Sequence, residues 1–118
     1  MTESNSLICC CTGHDIDNIL KMLEDLQFTK AKASRINGSI SPKCFHKVDF
    51  YDRQSQIGDV WHDEFLDFNE ACLVLQNVCK LINDNALIVS QKRSFMGIFK
   101  DDKLFVVSYN HKDVIKVL

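Results

Sequence analysis

The chain has 118 residues, 46% of them hydrophobic, with only four Gly and one Pro, a length that suits one globular domain over residues 1–118 with a single core. Its 14 Lys and Arg stand against 16 Asp and Glu, and charged residues make up 25% of the chain, which excludes the disordered, collagen-like and polyelectrolyte classes. No apolar run exceeds five residues, far short of the roughly 20 that span a bilayer as a helix, and the start Met-Thr-Glu-Ser-Asn lacks the basic and apolar regions of a secretory signal, so a cytoplasmic protein without membrane contact is expected.

Ser6 to Thr12 is continuously apolar between polar residues and Gly13, the pattern of a short buried strand. Ile16, Ile19, Leu20 and Leu23 then recur at helical spacing, with Asp15 and Asp17 at the start suited to an N-cap and to the positive end of a helix dipole. Thr29 to Pro42 holds Ser34, Gly38, Ser39, Ser41 and the one Pro, together with Lys30, Lys32 and Arg35, and reads as the longest loop. Within it, Asn37-Gly38-Ser39 matches a glycosylation sequon but is read as a turn.

Lys43 to Tyr51 alternates, with Cys44, His46, Val48 and Phe50 on one face. Asp52 to Gln56 reads as a turn and Ile57 to Phe65 as a strand returning to form a hairpin with it. Asp67-Phe68-Asn69-Glu70 has capping-box spacing ahead of a strongly apolar helix, where Phe68, Ala71, Cys72, Leu75, Val78, Cys79 and Ile82 form a stripe that Leu73, Val74 and Leu81 widen. So wide a stripe predicts a helix covered on more than one side. Asn83-Asp84-Asn85 stops it. Ala86 to Ser90, Phe95 to Phe99 and Leu104 to Tyr109 read as an antiparallel meander, the last two strands joined by Lys100-Asp101-Asp102-Lys103. Val114 to Leu118 is compatible with an edge strand or a short helix.

The order is therefore β-α-β-β-α-β-β-β, which predicts an α+β domain with a mostly antiparallel sheet of five to six strands and two helices packed on it. Two arrangements fit: a split β-α-β with an added hairpin, or an αββαβββ order similar to that of profilin, roadblock and longin domains, in which the first strand is an extra. That likeness is one of element order alone and carries no function.

Six Cys in a chain read as cytoplasmic predict free, buried thiols rather than disulfides. Cys9 and Cys11 share one face of a strand and Cys44 and His46 one face of another. These four are the candidate ligands for a zinc ion, although no C-x-x-C turn supports them. Nothing in the spacing ties Cys10 to His46 or Asp49 as a nucleophile and its base. The four glycines are too scattered for a phosphate loop, and no hydrolase, metalloprotease, EF-hand or kinase signature occurs. With a net charge of −2 and dispersed basic residues, nucleic-acid binding is not expected. No cofactor and no catalytic residue is assigned.

One stretch departs from the even charge. Between Arg53 and Lys80 there is no Lys or Arg, while Asp59, Asp63, Glu64, Asp67 and Glu70 supply five acids interleaved with Trp61, Phe65 and Phe68. His62 beside Asp63 and Glu64 resembles an acid-base cluster, but neighbours on a strand diverge. Exposed carboxylates around an aromatic anchor suit a basic protein partner. The expected site is therefore Asp59, Trp61, Asp63, Glu64, Asp67 and Glu70. The expected function is protein binding, most concretely as an immunity protein that neutralises a nuclease-type toxin by occupying its phosphate-gripping surface. Two alternatives are a scaffold subunit that dimerises, in the manner of roadblock or profilin, and a small zinc protein or enzyme.

Overall fold

The computed structural model describes residues 4–36, 43–64, 66–90 and 93–110. The elements are β1 (Ser4–Cys11), α1 (Gly13–Asp25), β2 (Thr29–Arg35), β3 (Cys44–Tyr51), β4 (Arg53–Ile57), β5 (Val60–Glu64), α2 (Phe68–Ile82), β6 (Ala86–Ser90), β7 (Arg93–Lys100) and β8 (Lys103–Asn110). Six strands form an antiparallel sheet in the order β2-β3-β1-β6-β7-β8, and β4 and β5 form a separate two-stranded ribbon. The class is the expected α+β, with two helices.

The order explains how the chain closes its core. α1 connects β1 to β2 across β3, and α2 leads to β6, which lies on the far side of β1 from β3, so the chain makes two interlocking split β-α-β units. β1 is thus central, paired on both sides, and the arrangement that treats the first strand as an extra is corrected. The reason lies in its sequence: Leu7, Cys9 and Cys11 alternate as buried residues, in register with Val48, His46 and Cys44 of β3. A strand buried on one face and half-buried on the other belongs in the middle of a sheet.

Both helices contribute to one core. Ile16, Ile19 and Leu23 of α1 and Ala71, Val74, Leu75, Val78, Cys79 and Ile82 of α2 are buried with Leu7, Val48, Phe50, Ile88 and Phe95 of the sheet. α1 starts at a capping box in which Thr12 Oγ1 accepts from Asp15 N and Asp15 Oδ2 accepts from Thr12 N, both at 3.1 Å. The cap is thus Thr12, one turn ahead of the aspartates. α2 ends at Asn83, in the left-handed region at φ 54°, which Asn tolerates. Its apolar stripe is narrower in use than in sequence, because Phe68, Leu73 and Leu81 are exposed and Cys72 is half-buried. The expectation of a helix covered on more than one side is therefore corrected: α2 buries one face, and the other apolar positions look outward.

Two strands stand where turn or loop was expected. Thr29–Arg35 is the edge strand β2, not a loop, with Ala31 and Ala33 packed against the core and a register slip between Thr29 and Lys32. Arg53–Ile57 is β4, not a turn, and it is the hairpin partner of β5 in place of the expected β3. Gly58, at φ 64°, provides the positive φ that opens this two-residue turn. The β6-β7-β8 meander is as expected, and its turn places Asp101 and Asp102 both at positive φ, 51° and 60°, the type I′ geometry that twists with a hairpin. The sequon Asn37-Gly38-Ser39, Phe65 and Val114 to Leu118 lie outside the described residues.

Candidate functional site

The five acids of the basic-free stretch fall on one unit, the β4–β5 ribbon and the start of α2. The ribbon makes its contacts chiefly within itself rather than with the sheet. Asp59 is exposed in its turn, and Val60 beside it is 58% exposed. Along β5, Trp61 lies opposite Gln56, Asp63 opposite Gln54 and Glu64 opposite Arg53. His62, between Trp61 and Asp63, lies opposite Ser55.

The helix start continues the surface. Asp67 is exposed at the N-cap, where its Oδ1 accepts from Glu70 N at 2.9 Å, the capping geometry expected of Asp67-x-x-Glu70. Glu70 completes the motif differently. Its carboxylate pairs with the Arg53 guanidinium, which also lies over the Phe28 ring at 4.7 Å from the centroid. The residue that bounds the acidic stretch therefore folds back and neutralises one of its acids. Glu70 holds the ribbon to the helix, while Asp59 and Asp67 present open carboxylates. Phe68 is 49% exposed next to Asp67, its ring centroid 6.1 Å from that of Phe95.

Sequence reasoning missed what fixes the ribbon. Asp52, read as the start of a turn, is fully buried between β3 and β4. Its Oδ1 accepts from Asn5 Nδ2 at 2.8 Å and from Leu66 N at 3.3 Å, so one carboxylate ties the two feet of the ribbon together and to the sheet through β1. The available signal was an acid directly between two strand-like runs, with a buried Asn early in the chain to receive it.

The cysteine and histidine candidates do meet. Cys9 is the cross-strand partner of His46 and Cys11 of Cys44, and all four side chains are buried on the helix face. The Cys9 and Cys11 sulfurs are 3.4 Å apart, Cys11 Sγ lies 3.6 Å from His46 Nδ1, and Cys44 Sγ lies 3.8 Å from His46 Nε2. These contacts run as a chain rather than closing round a centre. Among the described residues no three His, Cys, Asp or Glu side chains are set to hold a metal ion. His46 Nδ1 is 3.0 Å from the Cys44 carbonyl oxygen, a polar contact within a sulfur-rich part of the core.

The described cysteines are free thiols. The Cys9 side-chain hydrogen bond to Cys11, with burial adding to it, pushes the Cys9 thiol up, and the same bond draws Cys11 down against the cost of desolvation. Burial pushes Cys79 up from 9.0 to about 11, and its thiol lies 3.5 Å from the Gly97 carbonyl, to which it donates. An acid whose folded pKa is raised contributes stability that is complete below its unfolded pKa and is lost as pH rises through the folded one. The denaturation midpoint is therefore expected to fall between pH 9 and about 11, and Cys79→Ala is expected to flatten that fall, as urea titrations across this range would show.

No protein-family model, no curated protein and no solved structure matches the chain. No helix among the described residues is long and apolar enough to cross a membrane.

Proposed function

We propose that the protein is a protein-binding module whose acidic ribbon engages a basic surface on a partner, and that it acts by occupancy rather than catalysis. The observation that carries this reading is the placement of Asp59, Trp61, Asp63, Glu64 and Asp67 on a two-stranded ribbon separate from the main sheet and on the helix start that follows it. Carboxylates at such a place steer a cationic partner during encounter, and apolar neighbours such as Val60 and Phe68 supply contact area once it docks. Glu70 serves in this reading by fixing the ribbon through Arg53 rather than by touching the partner.

The most concrete form is an immunity protein. A nuclease toxin must present Lys and Arg to grip phosphates, and an inhibitor that lays carboxylates across them blocks substrate by charge and by volume. Free thiols fit a reducing cytoplasm, where such an inhibitor would be needed.

The test is affinity capture from the source organism's lysate, using the wild type and an Asp59→Lys/Asp63→Lys/Glu64→Lys variant. A basic protein retained by the first and lost by the second is expected. Equal retention by both contradicts the ribbon as the binding surface.

A further inference from the structure

We propose that the outer edge of β8 pairs with the same edge of a second copy of this chain, joining two six-stranded sheets into one of twelve strands. The two edges of the sheet are built differently. The β2 edge carries exposed Lys30, Lys32 and Arg35, holds Lys30 at φ 54°, and slips register between Thr29 and Lys32. Charge and irregularity of this kind are how natural sheets prevent edge-to-edge pairing.

The β8 edge has neither protection. Its eight residues run in unbroken register with β7, from Lys100↔Lys103 to Arg93↔Asn110. Between Lys103 and Asn110 the sequence Leu104-Phe105-Val106-Val107-Ser108-Tyr109 contains no charge. Phe105 is 52% exposed and Val107 38%, and among the described residues no further strand pairs with β8 on its outer side. A long, regular, apolar edge leaves a row of backbone donors and acceptors that another strand can satisfy.

Symmetry argues for a second copy as the occupant. A two-fold axis perpendicular to the sheet turns a strand into its own antiparallel partner, so β8 is complementary to itself without any further adaptation. Directly opposed residues must also point to the same face, which restricts the allowed registers to those centred on a residue. Centred on Val106, the pairing uses Lys103 to Tyr109 in full. It sets Phe105 opposite Val107 of the second copy, twice, on the face away from the helices, an aromatic against a β-branched side chain. Lys103 falls opposite Tyr109 of the second copy, so no like charges face each other along the contact.

The contact is seven residues long, roughly 23 Å, smaller than a standard interface, so dimerisation should depend on concentration over roughly 1 to 200 µM. Sedimentation velocity on the full chain over that range tests it, with three proteins compared. The wild type is expected to pass from monomer to dimer. Phe105→Lys/Val107→Lys, which opposes like charges across the seam, should weaken the dimer by at least about tenfold with an unchanged far-ultraviolet dichroism spectrum, since both side chains are exposed. Phe105→Lys/Val107→Glu, which opposes unlike charges in the proposed register, should restore much of the loss. A wild type that is monomeric throughout, a Lys/Lys variant that dimerises like the wild type, or a Lys/Glu variant no better than Lys/Lys would each overturn the proposal.

Discussion

Asp52→Ala is expected to lower the free energy of unfolding by about 3 kcal/mol or more, a large share of the stability of a domain of this size. The side chain is fully buried, and its Oδ1 receives both Asn5 Nδ2 and the Leu66 amide. Truncation removes an acceptor shared by β1 and the segment leading into α2, and leaves a buried amide side chain without that partner. Asp52→Asn keeps an Oδ1 acceptor of the same shape and should cost clearly less. Urea denaturation of the two variants separates these outcomes. If Asp52→Ala unfolds at the wild-type midpoint, the carboxylate does not anchor the ribbon. Because the ribbon's feet are tied at this point, the same variant should weaken partner capture beyond its effect on stability.

The second large effect is expected at Gly97. A Cβ built there would lie 2.9 Å from Leu75 Cβ and 3.2 Å from Cys79 Sγ, so β7 and α2 meet with no room for a side chain. Gly97→Ala should cost about 1 to 3 kcal/mol by overpacking, and Leu75→Ala alone about 3 kcal/mol or more by leaving a cavity. The pair should be only modestly better than additive, because the truncation removes Leu75 Cδ2, 3.2 Å from the new methyl, but keeps Leu75 Cβ at 2.9 Å. A double-mutant cycle by thermal or urea denaturation measures this directly. Strict additivity would mean that the close approach of β7 to α2 is not what limits the residue at 97. Helix α2 also positions Asp67 and Glu70, so this packing bears on the acidic surface as well as on the core.

Much of this was legible in the sequence, and what was not has physical reasons. A continuous apolar run marked β1 and apolar alternation marked β3, and their inward residues Cys9, Cys11, Cys44 and His46 do lie together. The spacing could place them on one face but could not give the order in which their side chains touch. Asp67 announced its cap because the N-cap geometry is local. β2 was hidden because its inward side chains are Ala31 and Ala33, too small to stand out as a buried face. β4 was hidden because Arg-Gln-Ser-Gln has no apolar alternation, as suits a ribbon outside the core.

Long-range pairing was the other gap. Arg53 bounds the basic-free stretch in sequence, yet in space it lies against Glu70, seventeen positions away. A count of acids along the chain therefore overstated the open charge: Glu70 is paired with Arg53, while Asp59 and Asp67 are exposed. The width of the α2 stripe misled in the opposite direction. Leu73 and Leu81 satisfy helical spacing but remain exposed, because one sheet face and one neighbouring helix cover a single side.

An association carried by the carboxylates of the ribbon must weaken as salt rises, and its salt dependence tests this most directly. With the captured partner purified, calorimetric affinity of the wild-type chain should weaken by about tenfold or more as salt is raised from roughly 50 to 300 mM, because exposed charges are screened over this range. The Asp59→Lys/Asp63→Lys/Glu64→Lys variant should bind far more weakly at the lower salt. An affinity that is unchanged by salt, and unchanged by the reversed charges, would contradict the ribbon as the binding surface.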